Sequence, residues 1–146
     1  MRATWAHRSG AALTERLSVD VLRPESLLVI AHPRSPLSMR PSVRWTELAG
    51  ERWILPAPTS LVRQAVDSAF ICHGHRPPQP AIESMSPATN VSLVAQGLGL
   101  AALPGTAMIP AERRGIVQRL ALQPAIPLPP VTLVYHALSG SSDKIE

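Results

Sequence analysis

Two adjacent hydroxyl side chains, Thr59 and Ser60, lie directly ahead of a helical pattern and could bind an anion. The apolar run 53–55 (WIL) precedes them, and the prolines of the segment 56–60 (PAPTS) make the connection stiff. The first N–H groups of a helix lack intrahelical acceptors and carry the positive end of the helix dipole, so this junction favours a carboxylate or a phosphate. The alternative is an ordinary helix cap, which stabilises a helix by about 1 kcal/mol and needs no ligand. The residues alone leave both interpretations open.

Two further pairs of residues stand at the ends of predicted strands. Ser84 and Met85 end one apolar segment, and Leu103 and Pro104 end the next. Because open α/β sheets bind ligands outside the carboxyl ends of their strands, we expect both pairs to border the same cleft as the first junction. Ser86, followed by proline, is expected to cap the next helix whether or not a ligand binds.

Cys72, His73 and His75 are residue types that coordinate zinc. They crowd one helix end, however, and no fourth ligand is evident, so we predict no metal site and regard them as surface residues at a helix C-terminus. Cys72 is the only cysteine, which excludes an internal disulfide and fits a reducing, cytoplasmic environment.

The sequence offers no catalytic motif and implies no cofactor. The serines are not set in a G-x-S-x-G elbow, and no phosphate-binding loop is present. The glycines of 97–99 (GLG) follow a helical pattern instead of opening one, which is the wrong context for a dinucleotide site. We therefore predict that the protein is not an enzyme.

The composition is that of one globular domain of 146 residues, with 45% hydrophobic and 16% charged residues. No run approaches the ~20 apolar residues that span a bilayer, so we expect no membrane contact. The net charge is +4, but most arginines are scattered and only five aromatic residues are present (three Trp, one Tyr, one Phe), which argues against direct nucleic-acid binding.

Hydrophobic patterning predicts strands that alternate with helices, which indicates an α/β fold. The predicted strands are 26–31, 53–55, 81–85, 98–104, 117–122 and 131–137, and the predicted helices are 43–50, 60–73, 86–97 and 105–114.

Three segments in this order resemble the effector-binding domain of LysR-type transcriptional regulators. They are 26–33 (SLLVIAHP) followed by Pro36 and Leu37, 45–54 (WTELAGERWI), and 94–104 (VAQGLGLAALP). Each segment alone is common, whereas the ordered set with matching loop lengths is characteristic of the family. The resemblance covers roughly residues 17–138.

The resemblance implies a periplasmic-binding-protein-like subdomain with a mostly parallel sheet flanked by helices. It further implies that the chain holds the second of two subdomains together with two crossing strands, at 26–31 and 131–137. The DNA-binding winged helix-turn-helix, the linker helix and most of the first subdomain would then lie outside it. On this basis we expect a ragged segment at 1–16, a partial effector-binding domain at 17–138 and a loose tail at 139–146.

The function implied is the sensing of a small polar or anionic metabolite for a transcriptional regulator. Its contacts would come from Thr59, Ser60, Ser84, Met85, Leu103 and Pro104. The resemblance also implies a homodimer through helix 60–73, and contact with DNA only through a domain that this chain lacks. The alternatives are a stand-alone solute-binding or interaction module and a non-functional gene fragment.

Overall fold

The computed structural model describes residues 2–7 and 15–136. The predicted tail 139–146 and half of the predicted segment 1–16 (residues 1 and 8–14) lie outside the described residues. The strands are β1 (Arg2–His7), β2 (Glu15–Ala31), β3 (Trp53–Leu55), β4 (Ile82–Glu83), β5 (Leu100–Pro104), β6 (Gln118–Arg119) and β7 (Ile126–His136). The helices are α1 (Trp45–Ala49), α2 (Leu61–Cys72), α3 (Pro87–Ala95) and α4 (Gly105–Arg113), and a 3-10 turn (Pro36–Met39) precedes α1.

Residues Glu25–Leu128 form one compact unit around a mixed sheet. Its strands follow the order β2-β5-β3-β4, with β6 also beside β2. The central strand β3 is parallel to both β4 and β5, whereas β2 runs antiparallel to β5. The predicted α/β class, with parallel pairing at the centre and helices at the flanks, is confirmed.

Both faces of the central strand are covered, as its continuous apolar run predicts. Trp53, Ile54 and Leu55 are completely buried. Trp53 and Leu55 face one apolar cluster, which includes residues of α1 and α2, while Ile54 faces another, which includes residues of α3 and α4. The helices therefore lie in two layers, one on each side of the sheet.

Helix α2 is fixed to the sheet by the apolar positions that predicted it. Val66 and Phe70, four residues apart, are completely buried. The ring of Phe70 packs edge-on against the rings of Trp45 and Trp53, with centroid separations of 5.1 Å and 5.7 Å. Gly74, with φ of 79°, supplies the left-handed residue that follows the end of the helix.

Helix α1 has an acidic residue in its first turn, as the helix dipole favours. The Glu47 carboxylate accepts a hydrogen bond from the Arg44 backbone N–H at 2.9 Å and pairs with the Arg40 guanidinium. The backbone hydrogen bond is the main reason why the pKa of Glu47 is lowered, and the two nearby arginines lower it further against an opposing effect of burial.

The structure differs from the sequence predictions mainly in the long strands. The predicted strand 26–31 is the last part of the longer strand β2, which begins at Glu15. Strand β7 begins at Ile126, whereas the predicted strand begins at 131, so the proline-rich residues 126–130 are also extended strand. Proline lacks an N–H donor but adopts extended backbone readily, and strand positions that do not donate to a neighbour accept it.

A second compact unit contains Met1–Pro24 and Pro129–Glu146. Among its described residues, β1 pairs antiparallel with the first part of β2, with Arg2 opposite Asp20 and His7 opposite Glu15. Strand β7 also pairs with β2. The Tyr135 hydroxyl donates to Asp20 Oδ2 at 3.0 Å, which ties these two strands together through their side chains.

Candidate functional site

The parallel strands β3, β4 and β5 end at one edge of the sheet, at Leu55, Glu83 and Pro104. We call this edge, with the residues that follow each strand, the carboxyl edge. Helices α2, α3 and α4 each begin within a few residues of it, so three helix N-termini lie at the same edge of the sheet. Unpaired N–H groups and positive dipole ends are thereby collected in one place.

The β3–α2 junction, residues 56–60, has the structure of a helix cap. Ser60 has extended backbone, and its Oγ accepts a hydrogen bond from the Val62 N–H at 3.2 Å. Thr59 is exposed and Ser60 is half-buried. The predicted cap is therefore present, with the exposed Thr59 beside it.

A buried arginine holds this junction from inside. Arg63 is 6% exposed, and its Nη1 donates to the Pro56 carbonyl oxygen at 3.1 Å. Its Nε donates to Asp67 Oδ1 at 3.2 Å, one turn further along α2. The guanidinium thus links the end of β3 to the second turn of the helix and fixes the path of the chain between them.

The β4–α3 junction is connected directly to the first one. The Ser84 N–H donates to the Leu55 carbonyl oxygen at 3.0 Å, and the Ala57 N–H donates to Met85 Sδ at 3.3 Å. Met85 is nevertheless 64% exposed. Ser86 caps α3, as predicted, because its Oγ accepts from the Thr89 N–H at 3.3 Å.

The β5–α4 junction already holds a carboxylate of the chain itself. Glu25 Oε1 accepts from the Gly105 N–H at 3.2 Å, and Glu25 Oε2 accepts from the Thr106 hydroxyl at 3.2 Å. Leu103 is 3% exposed and packs in the apolar core, while Pro104 is half-buried. The positive end of α4 is therefore neutralised from within.

The structure brings the predicted site residues to the carboxyl edge, with different degrees of access. The bond between Ala57 and Met85 places the pair Thr59–Ser60 and the pair Ser84–Met85 at adjoining junctions. Leu103 and Pro104 end the neighbouring strand, but the Leu103 side chain belongs to the core. Sequence reasoning did not predict a role for Arg63, Glu25 or Asn90. For Arg63 the reason is that an arginine at a helix position indicates solvent exposure unless its partner is known.

The predicted absence of a metal site stays a prediction. Among the described residues, no group of three or more His, Cys, Asp and Glu side chains is arranged to hold an ion. Cys72 is exposed. The His73 ring stacks on the Trp45 ring with a centroid separation of 4.4 Å, and the His73 Nδ1 lies 2.8 Å from the Ala69 carbonyl oxygen.

The family model described as LysR substrate binding domain matches residues 3–146. The chain belongs to this LysR family. The resemblance predicted from the three ordered segments is thereby confirmed. No match is found among curated proteins.

Several solved structures share the fold of this chain. The Synechocystis PCC6803 CcmR regulatory domain in complex with 2-PG has a TM-score of 0.73 at 18% identity and covers 99% of this chain and 66% of that one. The effector binding domain of QuiR in complex with shikimate has a TM-score of 0.64 at 19% identity, over 88% of this chain and 59% of that one. A Corynebacterium glutamicum OxyR mutant has a TM-score of 0.65 at 21% identity and covers 97% of this chain and 42% of that one.

This LysR domain spans two thirds or less of the length of each of these structures. In the part of the chain that the structure describes, no winged helix-turn-helix is found. No helix in residues 15–136 is long and apolar enough to cross a bilayer.

Proposed function

We propose that this LysR substrate-binding domain binds a small metabolite bearing a carboxylate at its carboxyl edge. The metabolite would act as the effector of a cytoplasmic transcriptional regulator. Contacts are assigned to Thr59, Ser60, Ser84 and Met85, with Pro104 at the rim and Leu103 supporting it from the core. The role is binding without chemical conversion. The predicted stand-alone module shares this binding step and differs only in having no regulatory output.

The observation that carries the proposal is the bond between the Ala57 N–H and Met85 Sδ. A thioether sulfur is a weak acceptor, whereas a carboxylate oxygen forms a charge-assisted bond that is roughly twice as strong as a neutral one. Met85 is mostly exposed, so its side chain can leave at little cost. A carboxylate that replaced the sulfur would gain the Ala57 N–H, the hydroxyl of Thr59 and the dipole of α2.

The ligands of similar structures support this chemical class. Shikimate, bound by the QuiR domain, is a carboxylate that also carries hydroxyl groups. In the complete regulator, a ligand of this kind would favour one arrangement of the protein over another and so change how its DNA-binding domains are presented.

The effect of Ser60→Asp tests the proposal. An aspartate at the N-cap still accepts the Val62 N–H and suits the helix dipole, so we expect the thermal midpoint to stay the same or to rise. Its negative charge repels a bound carboxylate, and we expect calorimetry with shikimate and other small carboxylates to show affinity lowered by about tenfold or more. Ser68→Asp, on the exposed side of the same helix, is the matched control and should bind as the unmodified chain does.

Two results would contradict the proposed carboxylate site. One is the absence of any binding across a panel of hydroxylated and plain carboxylates. The other is a Ser60→Asp variant that binds them as tightly as the unmodified chain, because the negative charge would then lie far from the ligand.

A dimer through helix 60–73 is proposed as the self-association mode of the domain. Helix α2 exposes two large apolar side chains, Leu61 at 65% and Ile71 at 62%. We expect Ile71→Lys to weaken self-association about tenfold or more in sedimentation equilibrium, because it places a charge in a desolvated contact. Ile116→Lys, at an exposed apolar residue outside α2, is the control. A chain that stays monomeric at millimolar concentration would contradict this mode.

A further inference from the structure

Asn90 is a buried polar residue whose hydrogen bonding is only half complete. Asn90 is 3% exposed. The Nδ2 group donates to the Ser84 carbonyl oxygen at 3.3 Å. Within the described ranges 2–7 and 15–136, Oδ1 accepts no hydrogen bond. Buried polar atoms are nearly always paired, so this oxygen calls for an explanation.

The position itself would suit an apolar residue. Asn90 lies one turn before Val94 on the same face of α3, and Val94 is completely buried in the core. A leucine of similar size at position 90 would extend that apolar face and remove the unpaired Oδ1, while it would also remove the donor to the Ser84 carbonyl oxygen. The asparagine therefore places one unpaired buried acceptor where packing would accept an apolar residue, which is typical of functional residues.

Asn90 also lies next to the proposed carboxylate site. Its amide contacts Ser84, and the following residue, Met85, accepts the Ala57 N–H. Oδ1 belongs to the same planar amide as Nδ2, so the unpaired acceptor lies beside the β4–α3 junction. The proposed carboxylate would bind at the same junction, through the Ala57 N–H.

We propose that Asn90 Oδ1 accepts a hydrogen bond from a hydroxyl group of the ligand, so that the domain selects hydroxy-carboxylates over carboxylates without the hydroxyl. This inference rests on the proposed function and names the substrate class of the same site. A hydroxyl fits better than an ammonium group, because the first turn of α3 carries the positive end of the helix dipole and disfavours a cation. Sites that hydrogen-bond a substrate hydroxyl reject analogues that lack it, because their own polar group is then left unpaired.

The test compares matched ligand pairs in calorimetry. Shikimate is compared with cyclohex-1-ene-1-carboxylate, and glycolate with acetate, using the whole chain. We expect the hydroxylated member to bind about tenfold or more tightly in at least one pair. This comparison needs only the unmodified protein, so it does not depend on the folding of a variant.

Asn90→Leu then assigns the preference to a residue. We expect this variant to fold, because added apolar packing offsets the lost bond to the Ser84 carbonyl oxygen, and to bind the two members of a pair with similar affinity. Ser92→Ala, on the exposed side of α3, is the control and should keep the preference.

Each outcome decides the carboxylate site, the recognition of a hydroxyl by Asn90, or both. If no carboxylate binds, both the proposed function and this inference fail. If both members of every pair bind equally to the unmodified chain, the carboxylate site stands and the inference fails. If Asn90→Leu keeps the preference, another group recognises the hydroxyl and the assignment to Asn90 is wrong.

Discussion

Replacing Arg63 with methionine is expected to lower the free energy of unfolding by about 2–4 kcal/mol. Methionine fills most of the volume of the buried arginine stem but donates no hydrogen bond. The Pro56 carbonyl oxygen, in a buried residue, would lose its donor, and Asp67 would lose its ion-pair partner. Urea unfolding measures the change, and Arg76→Met, at an exposed position, is the control.

The same substitution is expected to weaken carboxylate binding, because Arg63 fixes the segment that contains Ala57, Thr59 and Ser60. Arg63→Lys keeps the charge but loses the planar guanidinium that reaches two acceptors. Its free energy of unfolding should therefore lie between that of the unmodified chain and that of Arg63→Met. A methionine variant within about 0.5 kcal/mol of the unmodified chain would mean that only the apolar stem of Arg63 matters.

Gly99→Ala is expected to lower the free energy of unfolding by about 2–3 kcal/mol, because no space exists for the added methyl group. A Cβ at this position would lie 2.7 Å from the Arg52 carbonyl oxygen. That oxygen also accepts the Leu100 N–H at 2.8 Å, so the methyl group would push apart β3 and β5 where their pairing begins. The obstacle is backbone, which cannot move aside as a flexible side chain can.

Gly50→Ala is the matched control, since a Cβ there would meet nothing within 4 Å and the residue has helical backbone. Its stability should change by less than about 1 kcal/mol. Gly99 lies at the opposite end of β5 from the carboxyl edge, so the folded fraction of Gly99→Ala should bind carboxylates normally. An unfolding free energy equal to that of the control would contradict the close approach.

Local patterns were sufficient to predict most of the fold. The repeat of Val62, Val66 and Phe70 with a serine ahead of it predicts α2 almost to the residue. The run 53–55 predicts a strand buried on both faces, which β3 is. The prolines between 124 and 130 were misleading, because the same residue suits a turn and an extended strand, and only the neighbouring strand decides between them.

The chemistry of the site depended on contacts between distant residues, which no local pattern specifies. Met85 reaches Ala57 across 28 residues of sequence, and Glu25 reaches Gly105 across 80. The sequence placed hydroxyl side chains at helix starts. It did not indicate which helix N-terminus would be occupied by a carboxylate of the chain itself, as Glu25 occupies that of α4. Asn90 could have been noticed from its spacing to Val94, as a polar residue at a core-facing position.

The carboxylate of Glu25 at the start of α4 has a consequence for how many ligands the domain can hold. A group tethered to its own chain competes as if present at an effective concentration on the order of millimolar or higher. A free carboxylate at micromolar concentration cannot displace it, so α4 is closed to solutes although its N-terminus faces the carboxyl edge. Of the three helices, only α2 and α3 remain open to competition. Because their junctions adjoin and form one site, a monocarboxylate should bind with a stoichiometry of one per chain.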